Sequence, residues 1–121
     1  MGQDAFRFLP LFLPAAESAR QHDWQPSVDV YRTRAGWLVK FDLAGVRLDD
    51  IEIAVAGNRL TVCGVRRDSV HEEGCCQYRM EIAYSRFERS IDFPADISRS
   101  RFSTEHRDGM LIVRISAEGT P

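Results

Sequence analysis

From Ser27 onward the chain alternates apolar and polar positions with a period of two. Val28 and Val30 alternate with Asp29 and Tyr31, and Trp37, Val39, Phe41 and Leu43 alternate with Leu38, Lys40 and Asp42. Ile51, Ile53 and Val55 alternate with Glu52 and Ala54, and Leu60 and Val62 with Thr61 and Cys63. Phe87, Ile91 and Phe93 share a parity with Arg89 between them, and Leu111, Val113 and Ile115 close the series. Successive side chains of a strand point to opposite faces, so the pattern predicts the strands of half-buried sheets. Gly57-Asn58 and Asp108-Gly109 separate such runs, and both dipeptides suit the positive φ that two-residue hairpins demand. Ala35-Gly36 is a weaker turn signal. Pro94 has no N–H for a ladder and ends a strand. Short strands, tight turns and almost no helical period predict an all-β fold, an antiparallel β-sandwich.

Two stretches break the alternation. Residues 1–23 carry Phe6, Phe8, Leu9, Leu11, Phe12 and Leu13, interrupted by Pro10 and Pro14. Ala15 to Gln21 has room for two short helical turns, but no period is long enough for a stable helix. The second stretch runs from Arg66 to Arg86. A loop of that length inside a small domain is usually functional or disordered. Its first half is polar, whereas Tyr78, Met80 and Ile82 are apolar on one parity and suggest an extra strand from Cys75 to Ala83. Such a strand has no neighbour in its own sandwich and is expected to pair with the edge of a second chain.

Composition narrows the function classes. A chain of 121 residues allows one ordinary domain. No apolar run is long enough to span a membrane. The net charge of −2 argues against a nucleic-acid partner, because phosphate recognition wants a basic excess. Lys40 is the only lysine, and acids interleave with the arginines as on a solvated mixed surface. Cys63, Cys75 and Cys76 are odd in number and two are adjacent, so they make no disulfide framework. A reducing, cytoplasmic compartment is the simpler expectation. Pro10 and the absence of a basic start argue against a secretion signal, and Phe6 against myristoylation.

Residues 24 to 117 resemble the α-crystallin domain of the small heat-shock proteins. The opening Trp24-x-Pro26-x-Val28-Asp29-Val30 is similar to the family's entry strand, and Phe41 to Val46 to its D-L-P-G-V stretch. Asp50 to Ile53 followed by Asn58-Arg59-Leu60-Thr61-Val62-x-Gly64 resembles the central hairpin and its N-x-L-x-[IV]-x-G signature. Phe87-x-Arg89-x-x-x-Phe93-Pro94 resembles F-x-R-x-x-x-L-P, and Phe102 with Asp108 to Leu111 resembles the closing hairpin. The resemblance implies an immunoglobulin-like sandwich over 24–117, a flexible apolar arm over 1–23 and a short tail over 118–121. It implies an ATP-independent holdase with no cofactor, whose partners are non-native client proteins and a second copy of itself as a homodimer.

The departures are specific. Ala44 replaces the usual Pro, Ile82 and Ser85 stand where Arg and Gly are frequent, and Thr104 stands at a frequent Ala. The I-x-I or I-x-V tail of the family has a look-alike in Val113-Arg114-Ile115, but this lies inside the last strand. The chain stops at Pro121, so a dimer or small assembly is expected rather than a cage.

Two surfaces are candidates for client binding. One is the arm, with Phe6, Phe8, Leu9, Leu11, Phe12 and Leu13, which alternatively packs on its own sandwich or is a disordered tail. The other is a groove lined by Ile51, Ile53, Val55 and Phe102, of which at least one isoleucine or valine reads as core. Burial of an Ile stabilises by about 1.5–3 kcal/mol, so exposing all three without a partner is costly. The expected dimer interface comprises Val28, Val30, Arg32, Cys76, Tyr78, Met80, Ile82 and Arg89. Arg89 shares its parity with apolar neighbours and reads as an interface cation needing carboxylate or carbonyl partners, or else as a solvent-facing sheet arginine.

His71-Glu72-Glu73-Gly74-Cys75-Cys76 resembles a metal or nucleophile cluster only superficially. It lacks the second His of a zincin and the C-x-x-C spacing, so no metal and no catalysis are expected. Redox modification or an intersubunit disulfide at these cysteines is the chemistry expected of them instead. Two other classes stay open: a CS-type co-chaperone interaction module, a similar sandwich that normally lacks the long loop, and a redox or metal enzyme using the loop cysteines.

Overall fold

The computed structural model describes residues 7–8, 22–70 and 72–117. Among these the strands are β1 (Arg7–Phe8), β2 (His22–Trp24), β3 (Val28–Arg32), β4 (Gly36–Asp42), β5 (Ile51–Ala56), β6 (Arg59–Val65), β7 (Arg86–Asp92), β8 (Arg101–Arg107) and β9 (Met110–Ser116). A 3-10 turn, Leu48–Asp50, leads into β5. One sheet has the order β1-β5-β6-β7-β2 and the other β3-β4-β9-β8. The pairings are antiparallel except at the flanks of the first sheet, where β1 joins β5 and β2 joins β7 in parallel. No described helix is long and apolar enough to cross a membrane.

The period-two residues face one another between the sheets. Val39, Phe41, Leu111, Val113 and Ile115 from one side meet Ile51, Ile53, Leu60, Val62 and Phe87 from the other, each at most 2% exposed. Each contributes on the order of 1.5–3 kcal/mol by leaving water. Ile51 and Ile53 are therefore core residues, which corrects their expected place in an open client groove. Val55 and Phe102 pack on the rim of this core and stay half-buried.

The turns follow from their residues. Asp108 (φ 55°) and Gly109 (φ 77°) both take positive φ, the pattern of a type I′ hairpin. At Gly57-Asn58 only Gly57 does so (φ 60°), as in a type II′ turn. The Asn58 side chain donates to the Phe93 carbonyl at 2.6 Å while the Phe93 N–H donates to the Asn58 carbonyl at 2.8 Å. This clamps the hairpin to the end of β7. The Ala35-Gly36 signal is displaced by one residue, since Gly36 already belongs to β4 and the bend lies at Arg34-Ala35. Gly36 is required by packing, because any Cβ there would strike the Ile115 carbonyl.

The expected boundary between arm and domain at residue 24 is crossed by β2, and β1 draws a further piece of the arm onto the sheet. Between Arg66 and Ser85 no described residue forms a strand within the single chain.

Candidate functional site

Three features border one another in sequence or space: a long loop, an open sheet edge and a covered one. The loop leaves the sandwich after β6. Its stem is closed by the Arg66 N–H donating to the Ser85 carbonyl at 2.9 Å. The Arg66 guanidinium donates to the carbonyls of Ala83 (2.8 Å) and Ala44 (3.2 Å) and lies over the Trp24 ring. Trp24 meets Phe87 edge-on at 5.3 Å. Arg67 reaches Asp50 at 3.2 Å on the adjoining surface. One cation thus binds the loop stem, β2 and the segment after β4. Nothing in the local pattern singles out Arg66 among the arginines.

Beyond this stem the loop exposes apolar side chains. Tyr78 is 99% exposed, Ile82 59% and Met80 50%. Val70 and Tyr84 are exposed as well and escaped the parity reading, because they lie in a polar stretch and beside the loop stem. Glu81 pairs with Arg79 at 3.3 Å. Cys75 and Cys76 are exposed.

The open edge is β3, which pairs only with β4 among the described residues. Val28 packs against the core, whereas Val30 and Tyr31 remain 41% and 44% exposed. Lys40 lies over the Tyr31 ring and Arg32 over that of Trp37. Arg89 keeps the inward parity of its strand and is half-buried. Its guanidinium donates to the Pro26 carbonyl at 3.1 Å, tying the link between β2 and β3 to β7. One carbonyl partner of this half-buried arginine is therefore supplied by its own chain.

The covered edge is β5, where the backbone register pairs Arg7 with Glu52 and Phe8 with Ile53. Of the arm residues expected to meet clients, Phe6, Leu9, Leu11, Phe12 and Leu13 lie outside the described residues. Across the sandwich, β8 carries Phe102 and the buried Thr104, whose hydroxyl has no partner among the described residues.

Charge on the outer faces is paired. Arg59 and Asp92 meet at 2.7 Å, and this bond holds the Asp92 carboxyl below its ordinary range. Arg114 donates to Glu105 at 3.0 Å and lowers that carboxyl likewise. On β6 the half-buried Cys63 thiol is pushed up to about 11, first by desolvation and then by Glu52 and Glu88. Among the described residues no group of three or more His, Cys, Asp or Glu is placed to hold a metal ion.

Comparison with known proteins places these features. Residues 29–121 match the model of the Hsp20/alpha crystallin family. The chain is 26% identical over 98 residues to small heat shock protein C2 of Rickettsia felis, covering 81% of this chain and 64% of that protein. It is 28% identical over 90 residues to spore protein SP21 of Stigmatella aurantiaca, covering 74% and 53%. The chain thus spans between about half and two-thirds of these relatives' length. Its fold superposes on heat shock protein 16.0 of Schizosaccharomyces pombe with a TM-score of 0.72 at 24% identity, covering 79% of this chain and 89% of that one. It superposes on hspA of Xanthomonas axonopodis at 0.65 with 24% identity, covering 82% and 99%.

Proposed function

The chain belongs to the Hsp20/alpha crystallin family, and from that premise we propose that it is an ATP-independent holdase that binds partly unfolded proteins and suppresses their aggregation. The reading assigns it to the cytoplasm, where its free cysteines stay reduced. The observation that carries it is the apolar loop surface, Tyr78, Met80 and Ile82, held out in water by a chain whose own core is complete. Exposed apolar side chains clustered on one segment mark an interaction surface.

The same surface supports a homodimer. The loop segment around Cys76 to Ile82 has backbone groups to satisfy, and the β3 edge of a second chain, Val28 to Arg32, offers a row of unpaired ones. Twofold symmetry makes the exchange reciprocal. Clients are assigned to the arm around Phe8, to Val55 and Phe102 at the rim of the β5–β8 side, and to whatever of the loop the dimer leaves open. Because β1 lies on the β5 edge, client capture there requires the arm to lift.

The test is aggregation of a heat- or reduction-sensitive model protein without nucleotide, at molar ratios up to several-fold excess. Suppression is expected, and unchanged aggregation rejects the holdase reading. Replacing Phe6, Phe8 and Phe12 by Ser is expected to weaken protection while the sandwich stays folded. Deleting Glu72 to Ala83 behind a short Gly-rich turn is expected to leave a folded monomer, and a surviving dimer rejects the exchange.

A further inference from the structure

We propose that Cys75 and Cys76 form a vicinal-dithiol modification site whose oxidation by a hydroperoxide withdraws the loop from pairing with a second chain. The inference rests on the exchange-dimer reading and adds to it a site and a chemistry.

Access comes first. Both thiols are exposed, and they line a hollow of about 540 Å³ together with Val70, Tyr78, Arg79 and Met80. The third thiol behaves differently. Cys63 is half-buried within β6 and is held as the unreactive protonated form by its surroundings. Oxidation is thus directed to the loop.

Geometry then makes the two states exclusive. In an extended strand adjacent side chains point to opposite faces, so Cys75 and Cys76 diverge whenever the loop pairs along an edge. A disulfide needs Cβ atoms roughly 3.5–4.5 Å apart, which adjacent residues reach only in a turned backbone. In the unpaired loop the two cysteines lie outside any strand, just after a turn. The Cys75 N–H closes that turn on the Glu72 carbonyl at 3.2 Å, and Gly74 takes a φ of 81°. Oxidation therefore captures the unpaired loop, and strand pairing protects the dithiol.

The chemistry balances with one peroxide. One thiol gives up its proton and attacks a peroxide oxygen as thiolate, the O–O bond breaks, and the departing hydroxide takes up that proton, leaving a sulfenic acid and one water. The neighbouring thiol displaces hydroxide from that sulfur, the S–S bond forms, and a second water leaves. Two thiols lose two hydrogens while hydrogen peroxide is reduced to two waters. A thiol reductant reverses the step by exchange.

The experiment uses the full chain with hydrogen peroxide as probe. Both cysteines lie between Arg67 and Arg79, so trypsin leaves them in one peptide. The expected product is that peptide lighter by two hydrogens, with no covalent dimer on a non-reducing gel. Sedimentation should show the dimer dissociation constant raised roughly tenfold or more, as for losing a few cross-strand pairs, and restored by dithiothreitol. Cys63→Ser should respond like the parent, while Cys75→Ser, one residue before the pairing segment, should dimerise when reduced and lose the response. A disulfide between two chains, no 75–76 linkage, or a linked peptide with unchanged association overturns the proposal. A reduced chain that is already a monomer overturns the exchange reading itself, and this shows before any peroxide is added.

Discussion

The guanidinium carbon of Arg66 sits 3.6 Å from the centroid of the Trp24 ring. The stacked plane leaves the N–H groups free at its edge, and two of them reach the carbonyls of Ala83 and Ala44. A planar cation stacks and donates at the same time, which an ammonium cannot do. Replacing Arg66 by Ala is expected to cost about 1–3 kcal/mol in urea unfolding, from the lost stacking and charged hydrogen bonds. Arg66→Lys should recover little of it. Limited proteolysis of either variant should cut the loop faster than in the parent, and equal cutting rates reject the stem assignment.

Gly64 and Gly57 are required for different reasons. A Cβ on Gly64 would strike the Asp50 carbonyl and crowd the Phe87 ring, whereas Gly57 faces open space and only its φ of +60° resists a side chain. Gly64→Ala should therefore lower stability by about 3 kcal/mol or more, and Gly57→Ala by about 1 kcal/mol. Denaturation midpoints in the reverse order would contradict the packing.

Thr104 buries a hydroxyl without a partner among the described residues. Thr104→Val keeps the shape and removes the polar atom, so a gain of about 1 kcal/mol is expected. A loss in thermal or urea unfolding would show that the hydroxyl is satisfied in solution.

Acid should weaken the fold through Asp92 and Glu105, whose carboxyls are lowered by Arg59 and Arg114. A lowered folded-state pKa stabilises above the unfolded value, here 3.8 for Asp92, and that contribution fades as pH falls through the folded value. Unfolding measured from about pH 5 downward should be less pH-dependent in Asp92→Asn. Asp92 is solvent-exposed, so its effect should also shrink in high salt.

Native thiol labelling near neutral pH, at dilutions that favour the monomer, should modify Cys75 and Cys76 promptly and Cys63 only on unfolding. Burial keeps Cys63 protonated until about pH 11. Prompt reaction at all three positions would contradict its placement in β6.

The alternation of Val39, Phe41, Leu60, Val62, Leu111 and Val113 determined the sandwich by itself, since each strand residue has only two faces to choose between. Gly57-Asn58 and Asp108-Gly109 likewise carried their hairpins, because a turn's φ demands are met or refused within a few residues. Parity also marked Ile51 and Ile53 as inward, but not whether inward meant core or groove. Only the opposing sheet decides that, and it covers both. Arg66 over Trp24, Arg89 on the Pro26 carbonyl and Gly64 against Asp50 join residues far apart in sequence through separations that no local period encodes. The parallel additions of β1 and β2 belong to the same class. Their few residues have no pattern of their own and become strands only because the edges of β5 and β7 supply the hydrogen-bond partners.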